Sequence, residues 1–397
     1  MPAAFTTPLS LRVTLLLVAS LTIMAGTVVA PSLPAIREIF AAEPNVDLLS
    51  RMVLTLPALF VAFCAPLAGA LADRFGRKNL LVASVLLYAL SGMSGLFADS
   101  LIMLLAGRAA LGVAIGGIMT IGTALVGDYF DGEERARFLG LQQAFTQLGG
   151  VAFVAGGGLL SDIHWRAPFA IYGLALIILI AVVLFVAEPN RNARAATTGA
   201  MSATGKWNWG LIALVCLIAF LVNALFYTVP VQLAFYLREL GLVRPSTAGF
   251  AIGLFSLISA IAALNYGRLR SRLNTVAIFA LGLGVLGFGF SGLSQAQGAA
   301  GLFAALAVMG AGLGFVMPSI MASAIQIAPP AGRGRIAGLV TSSMFLGHFT
   351  SPFASQPLVA QIGYAGAYLT VGLAFLAMAL VAAFVLILRR LKGAQPA

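Results

Sequence analysis

Charge is scarce in this 397-residue chain: Asp, Glu, Lys and Arg make up 9% of it, against 61% hydrophobic residues. A soluble globular protein carries roughly 25% charge. With a mean hydropathy of +1.03 there is too little polar surface to cover a water-soluble body, so the main solvent is lipid. Cysteine is nearly absent. Cys64 and Cys216 lie in separate apolar runs with no CxxC pair, which leaves no zinc or redox motif. They read as small packing residues. Histidine is equally rare. His164 and His348 fall in different halves, and no HExxH or GxSxG context accompanies them. A polytopic membrane enzyme needs a reactive cluster, so the chain does not read as an enzyme. It calls for no metal and no cofactor. The net charge of +11 invites a nucleic-acid reading, but the basic residues are dispersed in small groups between apolar runs. No basic face forms, and no nucleic-acid partner is expected.

What is present is a series of long apolar runs. A spanning helix takes about 20 such residues. Twelve segments qualify: 13–33, 48–71, 79–98, 101–126, 138–160 and 168–187, then 208–236, 246–266, 275–294, 299–326, 336–358 and 365–388. The runs are continuous rather than alternating, which predicts helices. Arg12 followed by an apolar run to Ala30 resembles a secretory leader. The run exceeds the usual leader length and many spans follow, so it is expected to be retained as the first helix. The longest polar stretch, Glu188 to Trp209, is rich in Asn, Thr, Ala, Gly and Ser. It reads as a cytoplasmic linker over 188–207. It parts an N-terminal six-helix bundle, 1–187, from a C-terminal one, 208–397.

Loop charge sets the expected orientation. With the N-terminus inside, 17 Lys and Arg fall on the cytoplasmic side and five outside: Arg37, Arg51, Arg166, Arg238 and Arg244. Both termini are therefore expected in the cytoplasm, and the short loops suit a bacterial inner membrane. The halves echo each other as well. Gly69-Ala-Leu71-Ala-Asp-Arg74 ends segment two, and Gly267-Arg-Leu269-Arg-Ser-Arg272 ends segment eight, 198 residues later. A match at equivalent places implies two bundles related by an axis along the membrane normal.

The stretch GALADRFGRKNLL, Gly69 to Leu81, concentrates four charges in six positions: Asp73, Arg74, Arg77 and Lys78. It resembles the loop 2–3 signature of the major facilitator superfamily, matched by Gly69, Leu71, Asp73, Arg74, Gly76, Arg77 and Lys78. LLAGRAALGVAIGG resembles that family's R-x-x-x-G helix signature through Arg108 and Gly112. GDYFDGEERARFLGL, Gly127 to Leu141, resembles the acidic-then-basic loop after segment four. Segment five departs from the antiporter branch, which tends to carry a Gly-Pro there. This chain has GGVAFVAGGG, Gly149 to Gly158, without the proline. The resemblance implies an all-α membrane protein of twelve transmembrane helices in two pseudo-symmetric bundles, acting as a monomer.

Several residues then become candidates. Gly69 permits a close helix approach. Asp73 faces the positive end of a helix, for which family resemblance nominates segment eleven. Arg77 pairs with Asp128. Together with Arg74, Gly76 and Lys78 these form a candidate conformational latch between the halves on the inside. Arg108 is the one fixed charge placed well inside a span, at a penalty of at least about 2.5–3.5 kcal/mol if isolated. Three roles stay open for it: binding an anionic group, tuning a proton carrier, or locking helices through carbonyls. His348, in FLGHFTSPF, is a coupling candidate because histidine titrates near neutrality.

All twelve acidic residues lie in loops or near span ends. The proton site is therefore at the outer rim (Glu38 or Asp47), or it is His348, or the protein is not proton-coupled. Polar cavity candidates are Gln142, Gln143 and Gln147, then Asn223, Tyr227, Gln232, Asn265, Gln326 and Gln356. Phe226, Phe255 and Met317 are candidate apolar walls. Trp207 and Trp209 read as interfacial anchors. The expected function is a secondary active transporter working by alternating access. It moves a small organic, amphipathic compound outward, coupled to protons. The alternative is uptake or facilitated diffusion of a small, anionic metabolite without proton antiport. The partners expected are the substrate, protons and the lipid bilayer.

Overall fold

Lipid offers no hydrogen-bond partner to a peptide backbone, so each apolar run must satisfy its own N–H and C=O groups. The computed structural model describes residues 8–188, 207–329 and 332–393, and among them contains helices and no strand. Among the described residues, ten helices are long and apolar enough to cross a bilayer, and Leu9–Met24 adds a shorter apolar one. The last of the ten, Arg333–Gly393, is two helices parted at Gly363, whose φ of 71° leaves the helical region. The result is the twelve-helix arrangement of an integral membrane protein.

We number these helices α1 (Leu9–Thr27), α2 (Val46–Phe75), α3 (Arg77–Met93), α4 (Leu101–Tyr129), α5 (Gly132–Ile163) and α6 (Leu174–Phe185). There follow α7 (Trp209–Phe226, continued as Thr228–Glu239), α8 (Pro245–Leu264), α9 (Thr275–Ser294), α10 (Ala299–Ile327), α11 (333–362) and α12 (364–393). Side chains set several starts. The Ser100 hydroxyl accepts from the Met103 N–H at 3.2 Å, Asn208 from Leu211 at 3.1 Å, and Asn274 from Ala277 at 2.8 Å. Each satisfies an orphan N–H of the first turn.

Two boundaries and the placement of one arginine differ from the hydropathy reading. The first span stops at Thr27, short of residue 33. Beyond it come a 3₁₀ turn, Ala30–Ser32, and a short helix, Leu33–Ile39, where Pro31 and Pro34 bring no N–H to a continuous ladder. Helix α5 starts at Gly132 rather than 138. Its polar first turn carries Glu133 and Glu134, which favour the positive helix end but are invisible to hydropathy. Arg51, counted above among outer loop charges, is fully buried in α2 and donates to the Asp47 carbonyl at 2.5 Å. Of the expected linker, residues 189–206 lie outside the described residues.

The chain divides into two compact units, Met1–Ser202 and Ala203–Ala397. In the first, α4 lies so close to α2 that a Cβ on Gly112 would stand 2.4 Å from the Pro57 carbonyl oxygen. One turn on, a Cβ on Gly116 would stand 3.1 Å from the Ala65 nitrogen. In the second, α10 meets α8 in the same way. A Cβ on Gly310 would stand 2.5 Å from the Phe255 oxygen, and one on Gly314 would stand 3.0 Å from the Ala263 nitrogen. Every corresponding pair (112 and 310, 116 and 314, 57 and 255, 65 and 263) is separated by the same 198 residues as Gly69 and Gly267. The duplication therefore extends from a loop motif to individual helix–helix contacts. Small residues four apart let the backbones touch.

Candidate substrate and coupling site

In the C-terminal unit the site grows from a broken helix. Pro230 has no N–H to offer the Phe226 carbonyl, and α7 is interrupted at Tyr227 before resuming with Val231 N–H to Tyr227 O at 3.2 Å. Interrupted spanning helices are tolerated where they line a cavity or lie buried in protein. The residues at the break are drawn together with α8 and α11. Asn223 Oδ1 lies 2.9 Å from His348 Nε2, while its Nδ2 donates to the Ala219 carbonyl at 2.8 Å and so holds the amide in place. The Tyr227 ring stacks on the imidazole at 4.1 Å, and Phe345 meets it edge-on at 5.6 Å. Phe226 stacks on Phe255 of α8 at 5.3 Å. Gly347 makes the approach of α11 to α7 feasible, since a Cβ there would stand 2.5 Å from the Phe220 oxygen. Further along α7, the fully buried Gln232 donates to Ser355 Oγ at 3.0 Å and lies 3.4 Å from Gln356 Oε1. Met317 is half-buried on α10.

In the N-terminal unit a cavity of about 300 Å³ opens between α1, α4 and α5. Gln142 and Gln143 line it with Thr22, Thr123 and Thr146, alongside Val18, Ala19, Ile118, Met119, Gly122 and Leu139. Arg108 sits elsewhere, 1% exposed. Its Nη1 donates to the Tyr172 hydroxyl at 3.0 Å and its Nη2 to the Gly92 carbonyl at 3.1 Å. Its guanidinium lies over the rings of Phe169 and Tyr172, 4.8 and 5.0 Å from their centroids. Gly92 is needed because a Cβ would stand 2.5 Å from the Tyr172 ring. Of the three roles left open for Arg108, these contacts are those of a lock tying α4 to α3 and to the turn before α6.

The charged loop between α2 and α3 is held inside the N-terminal unit. Gly76, with φ 93°, makes the turn. Glu188, just past α6, accepts from the N–H groups of Arg77 and Lys78 at 2.8 Å each. Lys78 Nζ donates to the Val183 carbonyl at 2.9 Å, and the Tyr129 hydroxyl donates to Ala187. Arg77 forms an ion pair with Asp128 and donates to the Ala124 carbonyl at 3.3 Å. Arg74 is exposed with its guanidinium over Phe75. The side chain of Asp73 lies outside the described residues. A Cβ on Gly69 would meet Thr120 of α4 at an ordinary 3.6 Å, while the tighter contact of α4 with α2 lies at Gly112. At the rim, Asp47 is ion-paired with Arg37 and lies 3.7 Å from Arg51, while Glu38 is exposed.

Three participants escaped sequence reading: Gly92 and Tyr172 as partners of Arg108, and Glu188 as the cap of α3. Arg108 and Tyr172 are 64 residues apart, and Glu188 is 111 from Arg77, so no local pattern joins them.

The sequence profile of the Major Facilitator Superfamily matches residues 15–243 and 215–397 of the chain. Among curated relatives, the class C tetracycline resistance protein of Escherichia coli is 37% identical over 36% of this chain and 35% of its own length. The bacillibactin exporter of Bacillus subtilis is 25% identical over 76% of this chain and 78% of its own. The chain thus spans about a third of the first relative and about three quarters of the second. Among solved structures, that of the D-xylose–proton symporter superposes with a TM-score of 0.76 at 16% identity, covering 94% of this chain and 96% of the symporter. At that identity the likeness concerns the fold.

Proposed function

The chain belongs to the Major Facilitator Superfamily, a family of membrane transporters, and from that premise we propose that it exports a small organic, amphipathic compound by alternating access, driven by proton influx. The observation that carries this reading is the cluster at the break of α7, where His348 is hydrogen-bonded to Asn223 and stacked on Tyr227. It is the one imidazole set within a span, beside the stacked apolar pair Phe226 and Phe255. Both relatives compared above carry names that speak of resistance or export, which supports the outward direction. Protonation of His348 adds a charge next to Asn223, and the resulting need for solvation biases the bundle between its two states. The site acids Glu38 and Asp47 stand aside in this reading, Asp47 being engaged with Arg37 and Arg51.

The loop of Gly69, Asp73, Arg74, Gly76, Arg77 and Lys78, with Asp128, serves as the cytoplasmic latch, its C-terminal end anchored by Glu188. Both termini face the cytoplasm of a bacterial inner membrane, and the monomer is the working unit. The linker joins the two bundles near residues 188–207.

The test uses the purified full chain in proteoliposomes with an imposed pH gradient, scanned against a panel of labelled amphipathic compounds. Gradient-driven accumulation of at least one compound, abolished in His348→Asn while gradient-free exchange persists, is expected. Accumulation that ignores the gradient defeats proton antiport and favours facilitated diffusion.

A further inference from the structure

The wall of the N-terminal cavity carries polar groups but no charge among the described residues. The cavity between α1, α4 and α5 is lined among the described residues by amides, hydroxyls and aliphatic groups. Two of its threonines have already committed their protons. Thr22 Oγ1 donates to the Ala19 carbonyl at 2.7 Å, and Thr123 Oγ1 to the Met119 carbonyl at 2.8 Å. Each hydroxyl therefore presents only lone pairs to the cavity. Gln142 and Gln143 add amides that both donate and accept. Neither fixed cation buried in a helix of this unit lines the cavity, and Arg51 is engaged with Asp47. Arg108 is 1% exposed and engaged with Tyr172 and the Gly92 carbonyl. The cluster at the break of α7 likewise offers an amide, a phenol, an imidazole and stacked rings.

A ligand with a fixed charge would exchange part of its hydration for neutral dipoles on this half-open wall without meeting a counter-ion there, which is penalised. A ligand bearing O–H or N–H donors would find acceptors waiting. We propose that the cavity of the N-terminal unit selects an uncharged amphipathic compound, an apolar ring system carrying several hydroxyl or amide donors, and rejects permanent cations and carboxylates. The inference rests on the transporter reading above and narrows its substrate class. It also disfavours the anionic metabolite entertained from the sequence.

Three probes of one shape test it: 4-nitrophenyl glucoside, the glucuronide that carries a carboxylate in place of its hydroxymethyl, and the 6-amino-6-deoxy glucoside that carries an ammonium in place of its 6-hydroxyl. Binding to the full-length protein in detergent is read by calorimetry. The neutral probe is expected to bind at least tenfold more tightly than either charged one. In Gln142→Glu, near-isosteric and on the cavity wall, the ammonium probe is expected to gain at least tenfold and the glucuronide to lose. Equal or tighter binding of a charged probe overturns the proposal, as does binding of none of the three. Transport is read separately. A neutral probe that binds but never accumulates under a pH gradient defeats the exporter reading and leaves the charge preference standing. Accumulation with no charge preference does the reverse.

Discussion

Consider adding one methyl group to α4, as Gly112→Ala. The new Cβ stands 2.4 Å from the Pro57 oxygen and 2.7 Å from Phe60 Cβ, in the tight seam between α4 and α2. A comfortable carbon–oxygen contact is about 3.3–3.6 Å, so the helices must part by about 1 Å. Backbone carbonyls do not swing aside as a long side chain does. Overpacking of this kind costs about 1–3 kcal/mol. With about 2–4 °C per kcal/mol for a unit of this size, a 2 kcal/mol penalty lowers the melting temperature by about 4–8 °C. The duplication sharpens the prediction. Gly310→Ala meets the Phe255 oxygen at 2.5 Å and is expected to lose a similar amount in the other unit. Gly140→Ala is the control, since a Cβ there meets nothing within 4 Å and Ala is the better helix former by roughly 0.5–1 kcal/mol. The assay is thermal unfolding of purified protein in detergent. If Gly112→Ala melts with the wild type, or if Gly140→Ala falls as far, the close helix contact is not what holds α2 to α4.

Arg108→Lys keeps the charge but loses the planar fork that reaches both Tyr172 and the Gly92 carbonyl, together with the ring stacking. A loss of the order of 3 kcal/mol is expected in the same melting assay, and a stable but transport-dead variant would instead return Arg108 to the transport chemistry. Gly347→Ala places a Cβ 2.5 Å from the Phe220 oxygen and pushes α11 off α7. Transport is expected to fall at least tenfold, and wild-type transport would show that the Asn223–His348 contact is dispensable. Glu188→Gln weakens two charge-assisted bonds to the Arg77 and Lys78 N–H groups and Asp128→Asn removes an ion pair. Each is expected to cost about 1 kcal/mol of stability while changing the rate of the conformational cycle, measured by stopped-flow fluorescence; unchanged rates would remove the loop from the switch.

The twelve spans were legible because lipid leaves a long apolar run few alternatives to a helix. Where a helix extended beyond that run, as α5 does through Glu133 and Glu134, hydropathy had nothing to register. The break between α11 and α12 was legible as an interval, but its hinge at Gly363 required a backbone angle. The half-repeat was visible in one loop motif. The same 198-residue offset in Gly112 and Gly310 was equally present in the letters, yet only the carbonyls they face give it meaning. For the site, residue types were readable and partnerships were not. Asn223, Phe226, Tyr227, Phe255 and His348 were candidates from separate segments, and packing brought them together. Arg108 was conspicuous as a lone charge, while its partners were a glycine and a tyrosine with no charge to advertise them.

Proton movement driven by substrate tests the proposed coupling most directly. Liposomes holding the purified chain and a trapped pH-sensitive dye, at symmetrical pH, receive an outward-directed gradient of a compound the protein transports. The account predicts that proton flux opposite to the compound appears in the wild type and vanishes in His348→Asn. Substrate movement with no change in internal pH, or a proton flux unaltered by that substitution, would contradict it.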